Sequence, residues 1–294
     1  GSNAKMLSRE IATTLGGRFW NKDIYPYSFA EYLNARDIIL SKNWMYGKQA
    51  AEVSKAFNDY FLYGGFPELT DVIAKRVWLN DIYSKIFFSD LIVRNKVRNE
   101  EALGLLVRRL AENVKQPISY TRLANLISSI GIKISKATVI EFIRYLKESC
   151  LIFPIENYAA KFAERNSNMK HYFIDNGLLS IFLLDGNTSL LENIVAIHLY
   201  KRYGAQLYFY NQNIEVDFVI PEAKTAIQVS YSLMDETTCR REVEGLIKLN
   251  RVFPMDNMCI ITRDEERIIT HESGVSIHVI PVWKWLLEEE PLRT

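Results

Sequence analysis

Leu103, Leu106, Val107 and Leu110 recur at helical spacing and predict a helix over Glu100–Asn113, which Pro117 stops. Ser119 is placed to cap a second helix with Leu123, Leu126 and Ile127 as its apolar stripe. Gly131 marks a turn, and Ser135 opens a third helix with Val139, Phe142, Ile143 and Leu146 on one side. Leu151–Tyr158 and Lys170–Ile174 then read as two strands around a polar, basic tip containing Lys161, Arg165 and Lys170. Earlier in the chain, Phe57, Tyr60, Phe61 and Tyr63 fall at helical spacing and read as core.

The last third of the chain mixes both periods. Leu190–Lys201 predicts a helix containing Glu192, and Ile214–Ile220 and Ala226–Tyr231 predict two strands joined across Pro221–Thr225. Regular alternation puts Glu215 and Asp217 on one face and Val216, Phe218 and Ile220 on the other. Gln228 and Ser230 share a face in the same way, with Ile227 and Val229 opposite. In the expected register Glu215, Asp217, Gln228 and Ser230 form one polar cluster near Glu192. A helix over Glu236–Leu249, a strand at Met258–Thr262 and a helix over Val282–Glu289 complete a mixed α/β layer.

Composition changes this picture through charge. The 294 residues are 48% hydrophobic, enough for sizeable cores, and carry a net charge of +1. That charge is a cancellation. Residues 94–170 hold 14 basic and 7 acidic side chains, and residues 171–294 hold 11 basic and 18 acidic. A basic middle suits a polyanion, whereas an acidic end needs a metal or a basic surface to approach phosphate. Cys150, Cys239 and Cys259 are odd in number and far apart, and read as buried free thiols in a reducing compartment. No apolar run has the length to span a bilayer and no export leader is visible, so a cytoplasmic protein without membrane contact is expected.

Helix, turn, helix and hairpin in the middle of the chain is the layout of a winged helix, whose third helix in DNA-binding versions enters the major groove while the wing touches the backbone. Lys133, Lys136, Thr138, Arg144 and Tyr145, with Lys161 and Arg165 on the wing, are the candidate duplex-DNA contacts. Glu141 on the same face would repel phosphate, so a protein partner is the competing reading.

The chain opens with a Gly-Ser-Asn turn, a helix over Met6–Leu15 and a Gly16-Gly17 stop, which reads as native sequence from inside a domain. This opening, Tyr25–Leu33, Tyr63-Gly64-Gly65-Phe66-Pro67-Glu68, Tyr172–Leu178, Leu191-Glu192-Asn193, Glu215–Ile220 and Gln228-Val229-Ser230-Tyr231 together resemble a family of prokaryotic AAA-type ATPases that carry a C-terminal domain of unknown function. The resemblance implies that Asn3 is a nucleotide sensor and Arg18 a phosphate-facing arginine. It implies three parts: the end of an ATPase with a helical lid over residues 1–94, a winged helix over 95–170, and a final domain over 171–294. No Gly-x-x-x-x-Gly-Lys-Ser/Thr loop is present, since Gly47-Lys48-Gln49 lacks both the earlier glycine and the hydroxyl. ATP would therefore need residues upstream, and no turnover by this chain is expected.

The final domain looks like the PD-(D/E)XK nuclease fold. In active members carboxylates hold Mg²⁺, and a lysine from a Glu-x-Lys pair steadies the attacking water. Asp217 fits the strand acid and Glu192 the helical one, and these two would be the metal ligands. Gln228 stands in place of the second strand acid and Ser230 in place of the lysine. Each replacement costs roughly 10²- to 10⁴-fold in rate by analogy with acid–base contributions. The expectation is a degenerate scaffold with no cofactor, the alternatives being a Mg²⁺-dependent endonuclease and a module that binds protein alone.

Overall fold

The computed structural model describes residues 23–161, 165 and 167–288. Asn3 and Arg18 lie outside them. The protein is mixed α/β, built on a nine-stranded sheet in the order β1-β3-β2-β4-β5-β6-β7-β9-β8.

Helices α1 (Phe29–Ala35), α2 (Lys48–Tyr63) and α3 (Lys75–Lys85) come first, and α3 runs into a π-helical stretch, Ile86–Val93. Ser28 and Glu31 close a reciprocal cap on α1, each side chain bonding the other's backbone N–H. Helix α4 (Glu100–Glu112), strand β1 (Ile118–Ser119), helices α5 (Tyr120–Ser128) and α6 (Lys136–Glu148), and strands β2 (Ile152–Asn157) and β3 (Asn168–Phe173) follow. Ser119 and Ser135 cap α5 and α6 as their positions predict. β3 pairs antiparallel with both β1 and β2.

β2 also pairs in parallel with β4 (Tyr208–Asn211), so this hairpin is continuous with the main sheet, and the boundary expected at residue 170 falls inside β3. Helices α7 (Asn176–Ser180) and α8 (Asn187–Tyr203) precede β4. Strands β5 (Glu215–Ile220) and β6 (Thr225–Val229), helix α9 (Glu236–Val252) and strands β7 (Asn257–Thr262), β8 (Arg267–Thr270) and β9 (Ser276–Pro281) follow. The last described helix, α10, spans Val282–Trp285, and Leu287 N–H bonds back to the Lys284 carbonyl in a tight turn; Glu289 of the expected helix lies outside the described residues. One core runs from Phe29 through Leu191 and Phe218 to Trp285; a second packs Val216, Val219 and Ala226 against Leu246 and Leu249 of α9. The sheet is thus covered on two sides. Of the cysteines only Cys259 is buried; Cys150 is exposed in a left-handed turn and Cys239 is half-buried. Among the described residues no helix is long and apolar enough to cross a membrane.

The dispersed glycine and asparagine motifs meet at one buried joint. Asp175 Oδ2 accepts the Gly65 N–H at 2.7 Å, while Oδ1 accepts Gly177 N–H at 2.8 Å and Leu178 N–H at 3.3 Å. Gly64 has φ +79°, and a Cβ there would lie 2.0 Å from the Asp175 carboxylate; one on Gly177 would lie 2.1 Å from the Tyr63 carbonyl. Asn176 Nδ2 donates to the carbonyls of Phe61 and Leu190, and Asn193 clasps both backbone groups of Phe173. Gly65 in turn accepts from Tyr27 N at 2.7 Å. Burial pushes the Asp175 carboxyl up to about 6, against the pull of the Gly65, Gly177 and Leu178 N–H groups.

In this packing Gly64→Ala is expected to cost roughly 3–5 kcal/mol in urea unfolding, because the methyl meets a carboxylate that cannot move. Gly131→Ala, at φ +93° with nothing within 4 Å, should cost only about 1 kcal/mol. His171 is buried in β3 with neither ring nitrogen in hydrogen-bond geometry, and burial, with the Lys147 charge, lowers it to about 4. Its folded pKa lies below the unfolded value of about 6.5, so this stability is complete above pH 6.5 and is lost as pH falls toward 4. His171→Met should therefore gain on the wild type by about 3 kcal/mol between pH 7 and pH 4, measured as the change in unfolding free energy.

Candidate functional site

The structure gathers acids around a lysine that the sequence pattern had placed on the hairpin tip. Lys170 is fully buried, and its Nζ lies 3.1 Å from Glu192 Oε1, 3.0 Å from Asp217 Oδ1 and 3.5 Å from Glu215 Oε1. The Tyr172 hydroxyl donates to the same Glu192 oxygen at 2.7 Å. Lys170 and Tyr172 are two residues apart on β3 and so share a face, which α8 covers with Glu192. The acids hold the Lys170 ammonium protonated despite its burial. Burial and the Asp217 charge push Glu192 up to about 7, against the pull of Lys170 and Tyr172. The lysine was legible only as an anomaly: a long charged side chain inside the run Met169–Phe173 needs a partner.

A β-bulge aims Asp217 at this lysine. Opposite β4, Tyr208 pairs with Val219 but Tyr210 pairs with Val216, so β5 carries one extra residue. Val216 and Val219 therefore both pack under α9, while Asp217 reaches Lys170 and Phe218 packs its ring against Tyr172. This corrects the regular alternation, which had put Phe218 on the face opposite Asp217. It also turns the Gln228 amide onto backbone groups rather than toward the carboxylates. The Gln228 amide accepts from Asp217 N at 2.9 Å and donates to Glu215 O at 3.0 Å, beneath Gly245 of α9. Asp217 Oδ2 completes the clip by accepting Val229 N–H at 2.9 Å. Side chains thus take over the β5–β6 ladder beyond the Phe218–Ile227 pair. Ser230 turns its hydroxyl to the Ser232 carbonyl at 3.0 Å.

The strands part at this end and open a cleft of about 690 Å³. Glu192, Glu215, Asp217, Gln228 and Ser230 all line it, with Lys115, Arg241 and Lys248 at its basic positions. Arg241 pairs with Glu242 at 2.6 Å, and Lys248 lies 3.8 Å from Glu244. The residues do not fit the Mg²⁺ that the nuclease resemblance implies. The space between Glu192 and Asp217 holds an ammonium, the Gln228 oxygen is engaged with the backbone, and among the described residues no group of three His, Cys, Asp or Glu side chains is placed to hold a metal ion.

The candidate DNA contacts divide. Lys133, Lys136 and Arg144 are exposed on and beside α6, as are Ile140 and Lys147. Arg144 lies 3.7 Å from both Glu141 and Glu148. Tyr145 is buried, contrary to expectation, with its hydroxyl on Glu141 at 2.5 Å, because the helical turn sets it beside Phe142 on the core side. Thr138 is half-buried and its hydroxyl meets the Ser135 cap at 2.9 Å. On the hairpin Lys161 is exposed, whereas Arg165 is drawn to the Ala160 carbonyl and over the Tyr208 ring.

Lys170→Ala should cost roughly 3–5 kcal/mol in chemical denaturation, since it strands buried carboxylates without a counter-charge. Lys224→Ala, in an exposed pair with Asp256, should change stability by less than about 1 kcal/mol in the same assay.

Residues 54–189 match the model of a domain of unknown function (DUF8612). That span contains both sides of the Asp175 joint and Lys170, and stops before Glu192. Across 98% of its length the chain is 32% identical to the uncharacterized protein MJ1544 of Methanocaldococcus jannaschii, covering 68% of that protein. Across the same share it is 30% identical to an uncharacterized protein of Haemophilus influenzae, covering 70% of it. No solved structure matches. The chain belongs to the family that these uncharacterized archaeal and bacterial proteins represent.

Proposed function

We propose that the chain is the non-catalytic, binding half of a prokaryotic AAA-type ATPase, which meets duplex DNA through a winged helix and uses a degenerate nuclease-like domain as scaffold. The observation that carries this reading is the element order α4-β1-α5-α6-β2-β3, with β1 paired to β3 and the outer face of α6 in solvent. A winged helix has this order, and α6 is its groove-entering helix. Lys133 and Lys136 sit at the start of that helix, where phosphate contacts position a protein on the duplex. The scaffold part of the reading is supported by the ammonium among the acids and by the engaged side chains of Gln228 and Ser230.

A protein partner is favoured by a separate observation. Ile140 is 43% exposed between Lys136 and Arg144, and Arg144 is flanked by two acids of its own helix. Fluorescence anisotropy with a labelled duplex across a salt series separates the readings. On the DNA reading affinity falls steeply with salt. Replacing Lys133 and Lys136 by Ala then weakens binding and lowers the salt slope by about 1 for each lysine that neutralises a phosphate. Absence of binding at low salt would favour the protein partner. Cleavage of supercoiled DNA in Mg²⁺ or Mn²⁺ that Asp217→Ala abolishes would overturn the scaffold reading.

A further inference from the structure

Beside the Asp175 joint lies a cavity of about 10 Å³, whose walls include Pro26, Tyr60, Gly64, Asp175, Ile194 and Lys201. It brings two opposite charges to one space, yet neither is bonded to the other. The Asp175 carboxylate is held by the Gly65, Gly177 and Leu178 N–H groups. Lys201 Nζ, reaching in from α8, donates to the Pro26 carbonyl at 2.5 Å and faces the Tyr25 ring, whose centre is 5.7 Å away. An ammonium carries three protons, so Lys201 has donors to spare, and Asp175 Oδ2, with the Gly65 N–H as its one bond, has room to accept another. The Tyr60 hydroxyl donates to the Tyr27 carbonyl at 2.8 Å and keeps its lone pairs for a further donor on the same wall. Burial lowers the Lys201 ammonium from its ordinary value, against the pull of Glu31 and Asp175.

We propose that this cavity binds a single water, which accepts from Lys201 Nζ and donates to the Asp175 carboxylate, so that the two charges form a water-mediated ion pair. A space of this size matches one water, and the lining supplies the roughly two to four polar partners that a buried water requires. A bound cation would meet the ammonium, a bound anion would meet the carboxylate, and an apolar group would leave both charges without partners. A neutral molecule that donates and accepts serves both sides. The water completes the joint: through Lys201 it ties α8 and the Pro26 carbonyl to the same carboxylate that already holds Gly65 beyond α2. The inference goes beyond the DNA and scaffold readings and depends on neither.

The direct test is a crystal structure of the wild-type chain at a resolution that shows ordered solvent. A water within about 3.2 Å of both Lys201 Nζ and an Asp175 carboxylate oxygen is expected. A dry cavity, an occupant other than water, or direct contact between Lys201 and Asp175 would overturn the proposal without recourse to any variant. In solution, ¹⁷O relaxation dispersion counts the waters held longer than the tumbling time of the protein. Lys201→Met keeps the aliphatic stem and removes the donor, and should lose one long-lived water relative to the wild type. A folded Lys201→Met protein with an unchanged count would overturn the role of the ammonium.

Discussion

The Asp175 carboxylate, sealed from solvent, accepts N–H groups from Gly65, Gly177 and Leu178 and so fastens the end of α2 to the turn after β3. A buried carboxylate is tolerable only when such donors replace its lost hydration, and here the donors come from residues 110 positions apart as well as from the next turn. The surrounding glycines are a consequence of that demand. Backbone must approach the oxygens closely, and Gly64 and Gly177 leave no room for a Cβ. Asn176 and Asn193 extend the same logic to Phe61, Phe173 and Leu190, so α2, β3, α7 and α8 share one hydrogen-bonded centre.

Strand β3 leads into this joint and carries Lys170 five residues earlier, which couples the candidate site to the fold. The register that delivers Asp175 to Gly65 also delivers Lys170 and Tyr172 to Glu192. A shift of β3 by one residue would bury His171 among the acids instead and would break both centres together. The cleft is therefore not an appendage of the sheet. Its charge balance is set by the same strand that closes the hairpin after α6.

Much of this was legible one element at a time. The stripes of α4, α5 and α6 and their serine caps read directly, because helical period and capping are local. The acids of the cleft were legible as residue types on neighbouring elements. Phe218 was not placed correctly, because alternation assumes a regular strand and the extra residue in β5 brings it to the side of Asp217. Gln228 lines the expected cluster, but its amide is engaged with the backbone of Glu215 and Asp217. Strands β1, β4, β8 and β9 were missed: β1, β4 and β8 span two to four residues, and β8 has mostly exposed residues that leave no hydrophobic stripe. β9 has six residues, and its alternation of Ile277 and Val279 with exposed neighbours was there to be read. Tyr145 looked available on α6 because a helix face read from sequence does not say how far its neighbours lean over it.

By itself the sequence determined the helices of the middle of the chain, the strands that carry Asp217 and Gln228, and the basic middle against the acidic end, since these are properties of residue type and short-range spacing. Only the tertiary structure decided that scattered Gly, Asn and Asp motifs are one joint, that a bulge points Asp217 at Lys170, and that this lysine is buried against the carboxylates of the cleft rather than exposed on the hairpin tip. Each of those depends on which side chains face one another across long stretches of chain. Charge adds along a sequence wherever it stands, but a buried ammonium is stable only where folding brings carboxylates around it.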